Sequence, residues 1–396
     1  MSPSRPPSAA EAVPVPCPAG QPAAELLHLD WRAYRFRLPR ALVTAHGALQ
    51  ERQGWLVRLH GPSGLGWGEA VAWPEAPTGL AKAIETLQGA WWRQELEALL
   101  PSLPAPLACA LGLALAELHG EPFAREGCWL PAPPSAWLLP AGDAALQALS
   151  DCLERQAPLE SGARAGPRPP TGDGQDSIFA AATGSAGAAA TDFSCAAAPL
   201  AAAGAKEAPL TFKWKVAAGD DDLERQTLDR LLALLPAAAR LRLDANGGWD
   251  RSTAAAWARR LAGETRLEWL EQPLDPADAE GLLALARQLP VALDESLRQA
   301  CAPPSPWPGW VVRRPLLEGD PRPLLAALRQ GQPRLMVSTA LETGIGRRWL
   351  AHLAALQSRG PTPTAPGLAP SWRPAGDLFA SDPQRVWQAA DRCFNP

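Results

Sequence analysis

Thr211-Phe212-Lys213-Trp214-Lys215-Val216, Leu241-Arg242-Leu243-Asp244, Leu267-Glu268-Trp269-Leu270-Glu271 and Val291-Ala292-Leu293-Asp294 decide how this chain of 396 residues is read. Each is a short, mostly apolar run with a charged residue at or near its end. Amphipathic stretches such as 223–235 and 253–261 fill the gaps between them. Short apolar strands alternating with helices imply parallel strands joined by right-handed crossovers. Working outward, further strands are expected at 310–314 and 334–338, with a degenerate one near 366–370. Upstream, a first strand at 135–140 precedes a helical stretch over 143–156. Eight such units predict an α/β fold, a (β/α)₈ TIM-like barrel over 133–374, because that is how eight parallel strands close.

The rest of the chain divides by composition. Residues 22–132 mix the alternating strands 31–38 and 54–59 with two helical patterns across 78–120, split by Pro101 and Pro104, and read as an α+β capping domain. The segment 375–396 is expected to pack on that domain. Residues 157–208 are Gly, Ala, Ser, Pro and Thr with few large apolar groups, and 1–21 is a Pro/Ala-rich tail. Neither can bury enough to offset the entropy of ordering, so both are expected to be disordered.

The net charge is −4 with no basic run, which excludes phosphate-backbone recognition and hence nucleic acid. No stretch of about 20 uncharged apolar residues is available to span a membrane. Seven scattered cysteines and five isolated histidines support neither disulfides nor a thiol or imidazole metal site, and fit a reducing cytoplasm. Lysine occurs only at 82, 206, 213 and 215, while 33 arginines carry the remaining positive charge. Lysine can surrender a proton when its pKa is depressed and arginine cannot. Two of four lysines on one strand therefore point to a position that must deprotonate. Seventeen tryptophans against one tyrosine are read mainly as core.

Lys215, Asp244, Glu271 and Asp294 are separated by roughly one βα unit each, so the barrel brings them to the C-terminal mouth where such folds build their sites. One strand-end acid alone reads equally well as a helix cap. Three on consecutive strands repel one another, and a hard divalent cation with an all-oxygen shell relieves that repulsion; magnesium is the expected ion.

Lys213-Trp214-Lys215, Arg242-Leu243-Asp244-Ala245-Asn246, Trp269-Leu270-Glu271-Gln272-Pro273 and Ala292-Leu293-Asp294-Glu295-Ser296, in that order, resemble the signatures of the enolase superfamily. Val311-Val312-Arg313-Arg314-Pro315, Ser338 to Gly346, Thr44 to Gly47 and Gly66 to Ala70 extend the resemblance over roughly 28–156 and 209–390. The branch most similar dehydrates a hydroxycyclohexadiene carboxylate bearing a succinyl chain, a step of menaquinone and phylloquinone biosynthesis. The resemblance implies Lys215 as general base and Asp244, Glu271 and Asp294 as ligands of Mg²⁺, with Mn²⁺ as a substitute. It places Lys213 against the metal and the substrate carboxylate, and has Asn246 and Glu295 orient the ligands. His46 falls in a loop expected to close over the site. Ser338 and Thr339 are candidate contacts for a small-molecule carboxylate.

One position departs from that pattern. The sixth strand of the family ends in lysine, and here Arg314 stands there. Guanidinium is no base, but it supplies a fixed charge and stacks on π faces. A syn dehydration needs a single acid–base group, so it tolerates arginine. N-acylamino acid racemases and dipeptide epimerases of the same superfamily need a base on each face and fit less well. A barrel that binds metal or ligand without catalysis is the alternative of another class.

Overall fold

A computed structural model describes residues 25–44, 47–72, 77–156, 209–298 and 307–394. The expected tail, the 157–208 insertion and His46 lie outside the described residues.

Four strands form the N-terminal sheet: β1 (Leu26–Thr44), β2 (Gly47–Gly61), β3 (Gly64–Val71) and β4 (Gly89–Trp92), in the order β3-β2-β1-β4, every pair antiparallel. The strands expected at 31–38 and 54–59 are the middles of β1 and β2. β4, Gly89-Ala90-Trp91-Trp92, has no alternating pattern and falls inside the stretch 78–120 expected to be helical. The helix Ala105–Leu118 lies on β3, buried over almost its whole length. Gly66 and Gly68 permit that approach: a Cβ on either would meet the carbonyl oxygen of Ala114 or Ala110 at 2.0 Å and 1.8 Å.

The second sheet runs in strict sequence order, all parallel: β5 (Trp137–Leu139), β6 (Thr211–Lys215), β7 (Arg240–Asp244), β8 (Leu267–Glu271), β9 (Val291–Leu293), β10 (Trp310–Arg313) and β11 (Leu335–Val337). Asp220, Asp250 and Asp278 cap the helices after β6, β7 and β8, each accepting a backbone N–H. The eighth place holds no strand. Segment 366–368 fills it with one bridge from Gly367 to Ser338, and Ala136 N donates to Pro366 O at 3.0 Å on the other side. Pro363, Pro366 and Pro370 lack the N–H that a longer ladder needs. The barrel interior holds Trp269, Ala292, Val312 and Met336, each two residues before a candidate site residue and so on the same face of its strand.

A buried carboxylate is one of the links between sheet and barrel. Glu69 on β3 is fully buried and accepts from Tyr34 Oη (2.6 Å), Thr343 N (2.8 Å), Thr343 Oγ1 (2.6 Å) and Gly346 N (2.8 Å). Burial pushes its pKa up against the pull of the Thr343 and Tyr34 hydrogen bonds. Glu69→Ala would leave four donors unmet. It is expected to cost about 3 to 5 kcal/mol, measured as a lower urea midpoint; an unchanged midpoint would count against this joint.

Candidate active site

Lateral register aligns the site. Lys215 pairs with Asp244, and Asp244 with Glu271, across β6, β7 and β8, so these three stand side by side at the C-terminal rim. One layer below, Lys213 pairs with Arg242 and Arg242 with Trp269. The Lys213 ammonium reaches up between the acids, 2.7 Å from Asp244 Oδ2 and 2.6 Å from Glu271 Oε1. Burial opposes its charge, but the Asp244 and Glu271 carboxylates outweigh burial and raise its pKa above the ordinary lysine value. Lys215 is shifted the other way: burial lowers its pKa, and the nearby Lys213 charge adds to this against the pull of Asp244. Two lysines on one strand are thus driven apart, one held protonated and one eased toward the free amine.

Asn246, in left-handed backbone with φ 47°, turns its amide back over the strand end. Its Oδ1 accepts from Lys215 Nζ and its Nδ2 donates to Glu295 Oε1 at 3.1 Å. Glu295 is pushed up to about 7 by burial and by the Asp294 and Asp244 charges. Its Oε2 is buried with no hydrogen-bond partner.

Arg314 grips Asp294 with two nitrogens, Nε to Oδ1 at 3.0 Å and Nη2 to Oδ2 at 2.6 Å, and donates Nη1 to Thr339 O at 2.6 Å. Burial raises the Asp294 pKa, yet the Arg314 charge and hydrogen bonds prevail and hold it well below the carboxylate range. Glu271 lies the other way: burial raises it, and the Asp244 and Asp294 charges add to that against Lys213.

A cavity of about 320 Å³ opens over this rim. Lys213, Lys215, Asp244, Asn246, Glu295, Arg314, Ser338 and Thr339 all line it. Glu271 and Asp294 stand behind Lys213 and Arg314, at 0% and 2% exposure. The Thr339 hydroxyl is already engaged, donating to Glu342 Oε2 at 2.7 Å and accepting from Leu341 N at 2.8 Å; the Ser338 hydroxyl donates to Gly367 O at 3.3 Å.

Among the described residues, no three acid, histidine or cysteine side chains stand close enough as placed to enclose a metal ion. Lys213 and Arg314 meet the carboxylate charge instead. The donor set nevertheless fits a hard cation: three buried carboxylates from consecutive strands, one of them raised by burial and then by the charges of the other two. Such an ion would compete for Asp294 with Arg314, which engages both carboxylate oxygens.

Four contributors went unassigned in the sequence reading. Gln272 accepts from Asp294 N and Ser296 N at 3.2 and 3.1 Å and so braces the β9 rim. Arg242 and Arg298 line the cavity. Arg242 was legible in principle, since it shares an inward face with Asp244 two residues on. Arg40 enters from β1, on the other sheet, and carried no local signal.

A sheet-capped parallel barrel with lysines and acids on adjacent strand ends defines a class of proteins that build their sites at the barrel mouth. Residues 196–301 match the family described as Enolase C-terminal domain-like, and solved structures similar to this chain share its fold. A crystal structure of o-succinylbenzoate synthase from Thermosynechococcus elongatus BP-1, complexed with Mg in the active site, superposes with TM-score 0.65 and 28% identity over 91% of this chain and 99% of that one. The o-succinylbenzoate synthase of Thermosynechococcus vestitus is 40% identical over 193 residues, 46% of this chain; the match spans 59% of that relative's length. The Klebsiella pneumoniae o-succinylbenzoate synthase is 28% identical over 350 residues, 85% of this chain and 89% of that protein. No helix among the described residues is long and apolar enough to cross a membrane.

Proposed function

We propose that this chain is an o-succinylbenzoate synthase, a carbon–oxygen lyase of quinone biosynthesis acting in the cytoplasm. It would remove water from a hydroxycyclohexadiene carboxylate bearing a succinyl chain. The observation that carries this reading is the asymmetry of the cavity. Its two lysines share β6, with only Lys215 eased toward the free amine, while the facing strand ends in Arg314, which no accessible pH deprotonates. That arrangement serves a reaction needing one acid–base group and does not serve racemisation.

Lys215 Nζ takes the proton from the carbon bearing the carboxylate. The carbon–hydroxyl bond then breaks, and the same ammonium returns its proton to the departing hydroxide, leaving water and an aromatic ring. Asn246 holds Lys215 through its Oδ1 while tied to Glu295, which fixes the amine's approach. Lys213 stays charged and offers positive potential to the substrate carboxylate. Asp244, Glu271 and Asp294 would hold Mg²⁺, with Mn²⁺ as a substitute, and the ion when bound supplies charge that lowers the barrier to proton removal.

Purified protein given this substrate and Mg²⁺ should form the aromatic product, seen by ultraviolet absorbance, and a chelator should abolish it. The free-enzyme profile, kcat/KM against pH, should rise as Lys215 loses its proton. Because its folded pKa lies below the ordinary 10.5, the midpoint of that rise is expected below that value. An alkaline midpoint at or above 10.5 would remove Lys215 from the role.

A further inference from the structure

The cations lining the cavity differ in what answers their charge. Lys213, Arg242, Arg298 and Arg314 each stand within ion-pair distance of a barrel carboxylate, and Lys215 bonds to Asn246. Arg40 is the exception. It comes from β1 of the capping sheet, and its contacts among the described residues are a hydroxyl and a ring face. Nη2 donates to Ser371 Oγ at 3.2 Å, and the guanidinium carbon lies 3.8 Å from the centroid of Trp372.

Trp372 also lines the cavity, and its indole N–H is buried without a partner. Stacking fixes the guanidinium plane while leaving donors at its edge. The lining also includes apolar Leu138, Met336, Leu341 and Ala369. The cavity therefore offers a ligand the cations of the barrel rim, a separate guanidinium from the capping sheet, and apolar wall besides.

We propose that Arg40, seated on Trp372, binds the second, distal carboxylate of a dicarboxylate substrate and thereby selects the acidic side chain. This rests on the dehydratase reading for the identity of the diacid, but not for the existence of the subsite. Arg40 does not touch the reacting atoms, so its removal should act on binding. A charge-assisted hydrogen bond lost at such a place corresponds to roughly a ten- to hundredfold change in affinity.

The test compares wild type, Arg40→Met and Arg40→Lys. Calorimetry measures binding of o-succinylbenzoate and of its distal amide, and steady-state kinetics uses the diacid substrate. Arg40→Met should weaken diacid binding and raise KM by roughly ten- to a hundredfold, with kcat little changed and amide binding unaffected; Arg40→Lys should recover part of the loss. Equal weakening for diacid and amide, or a fall in kcat at constant KM, overturns the proposal. If wild type binds the diacid through Arg40 yet turns nothing over, the subsite stands and the dehydratase reading falls. Turnover with a KM indifferent to Arg40→Met gives the reverse result.

Discussion

Replacing Lys215 with arginine is expected to reduce kcat by on the order of 10³ to 10⁴, nearly as much as replacing it with alanine, because one positioned acid–base group contributes about that much. The reason lies in which proton each side chain can release. Burial and the Lys213 charge ease Lys215 toward its neutral form. A guanidinium in the same place keeps its protons at every accessible pH. Arginine preserves the charge and much of the reach, so the comparison isolates proton transfer from charge. Both variants should melt like wild type, since Lys215 sits half-buried at the cavity wall and not in the core. Both should still bind o-succinylbenzoate. In deuterated water neither should wash deuterium into the position next to the carboxylate. An arginine variant keeping more than about a tenth of the wild-type rate would place the base elsewhere.

That prediction starts from residues visible in the chain itself, and the reason is geometric. Parallel strands in register bring Lys215, Asp244 and Glu271 abreast, so spacing by one βα unit is enough to gather them at one rim. The inward face also follows from alternation, which is why Lys213 lies below Lys215 and Arg242 below Asp244. What alternation cannot convey is how the charges divide. Nothing in Arg314 or Asp294 as letters says that they lock together, nor that Lys213 lies between Asp244 and Glu271. Those outcomes depend on distances of a few ångströms across strands. The eighth barrel position shows a second limit: a run broken by Pro363, Pro366 and Pro370 closes the barrel with a single bridge, where repeat counting expected a strand. Arg40 shows a third, because a side chain delivered from another sheet has no periodic relation to the barrel motifs. Glu69 belongs to the same group: its four donors come from β1 and from the segment after β11.

The Arg314 series should separate charge from metal competition. Arg314→Lys is expected to keep turnover within about tenfold of wild type, since a point charge remains where the fork stood. Arg314→Glu would set a second carboxylate against Asp294 and should cost at least about two orders of magnitude, with stability reduced as well. Arg314→Met is the informative member. It removes the guanidinium that grips Asp294 through Nε and Nη2 and leaves that buried acid to the longer Arg298 contact at 3.4 Å. The apo variant should therefore melt below wild type. Added Mg²⁺ should raise its melting temperature by more than it raises that of wild type, because a ligand that binds only the folded state stabilises more the tighter it binds, with the logarithm of its affinity. Its kcat should still fall well below that of the lysine variant, for lack of a cation over the substrate. If Mg²⁺ shifts both proteins equally, Arg314 does not compete for Asp294. If Arg314→Met retains full kcat, the cation has no part in turnover, and the departure from lysine at this strand is merely structural.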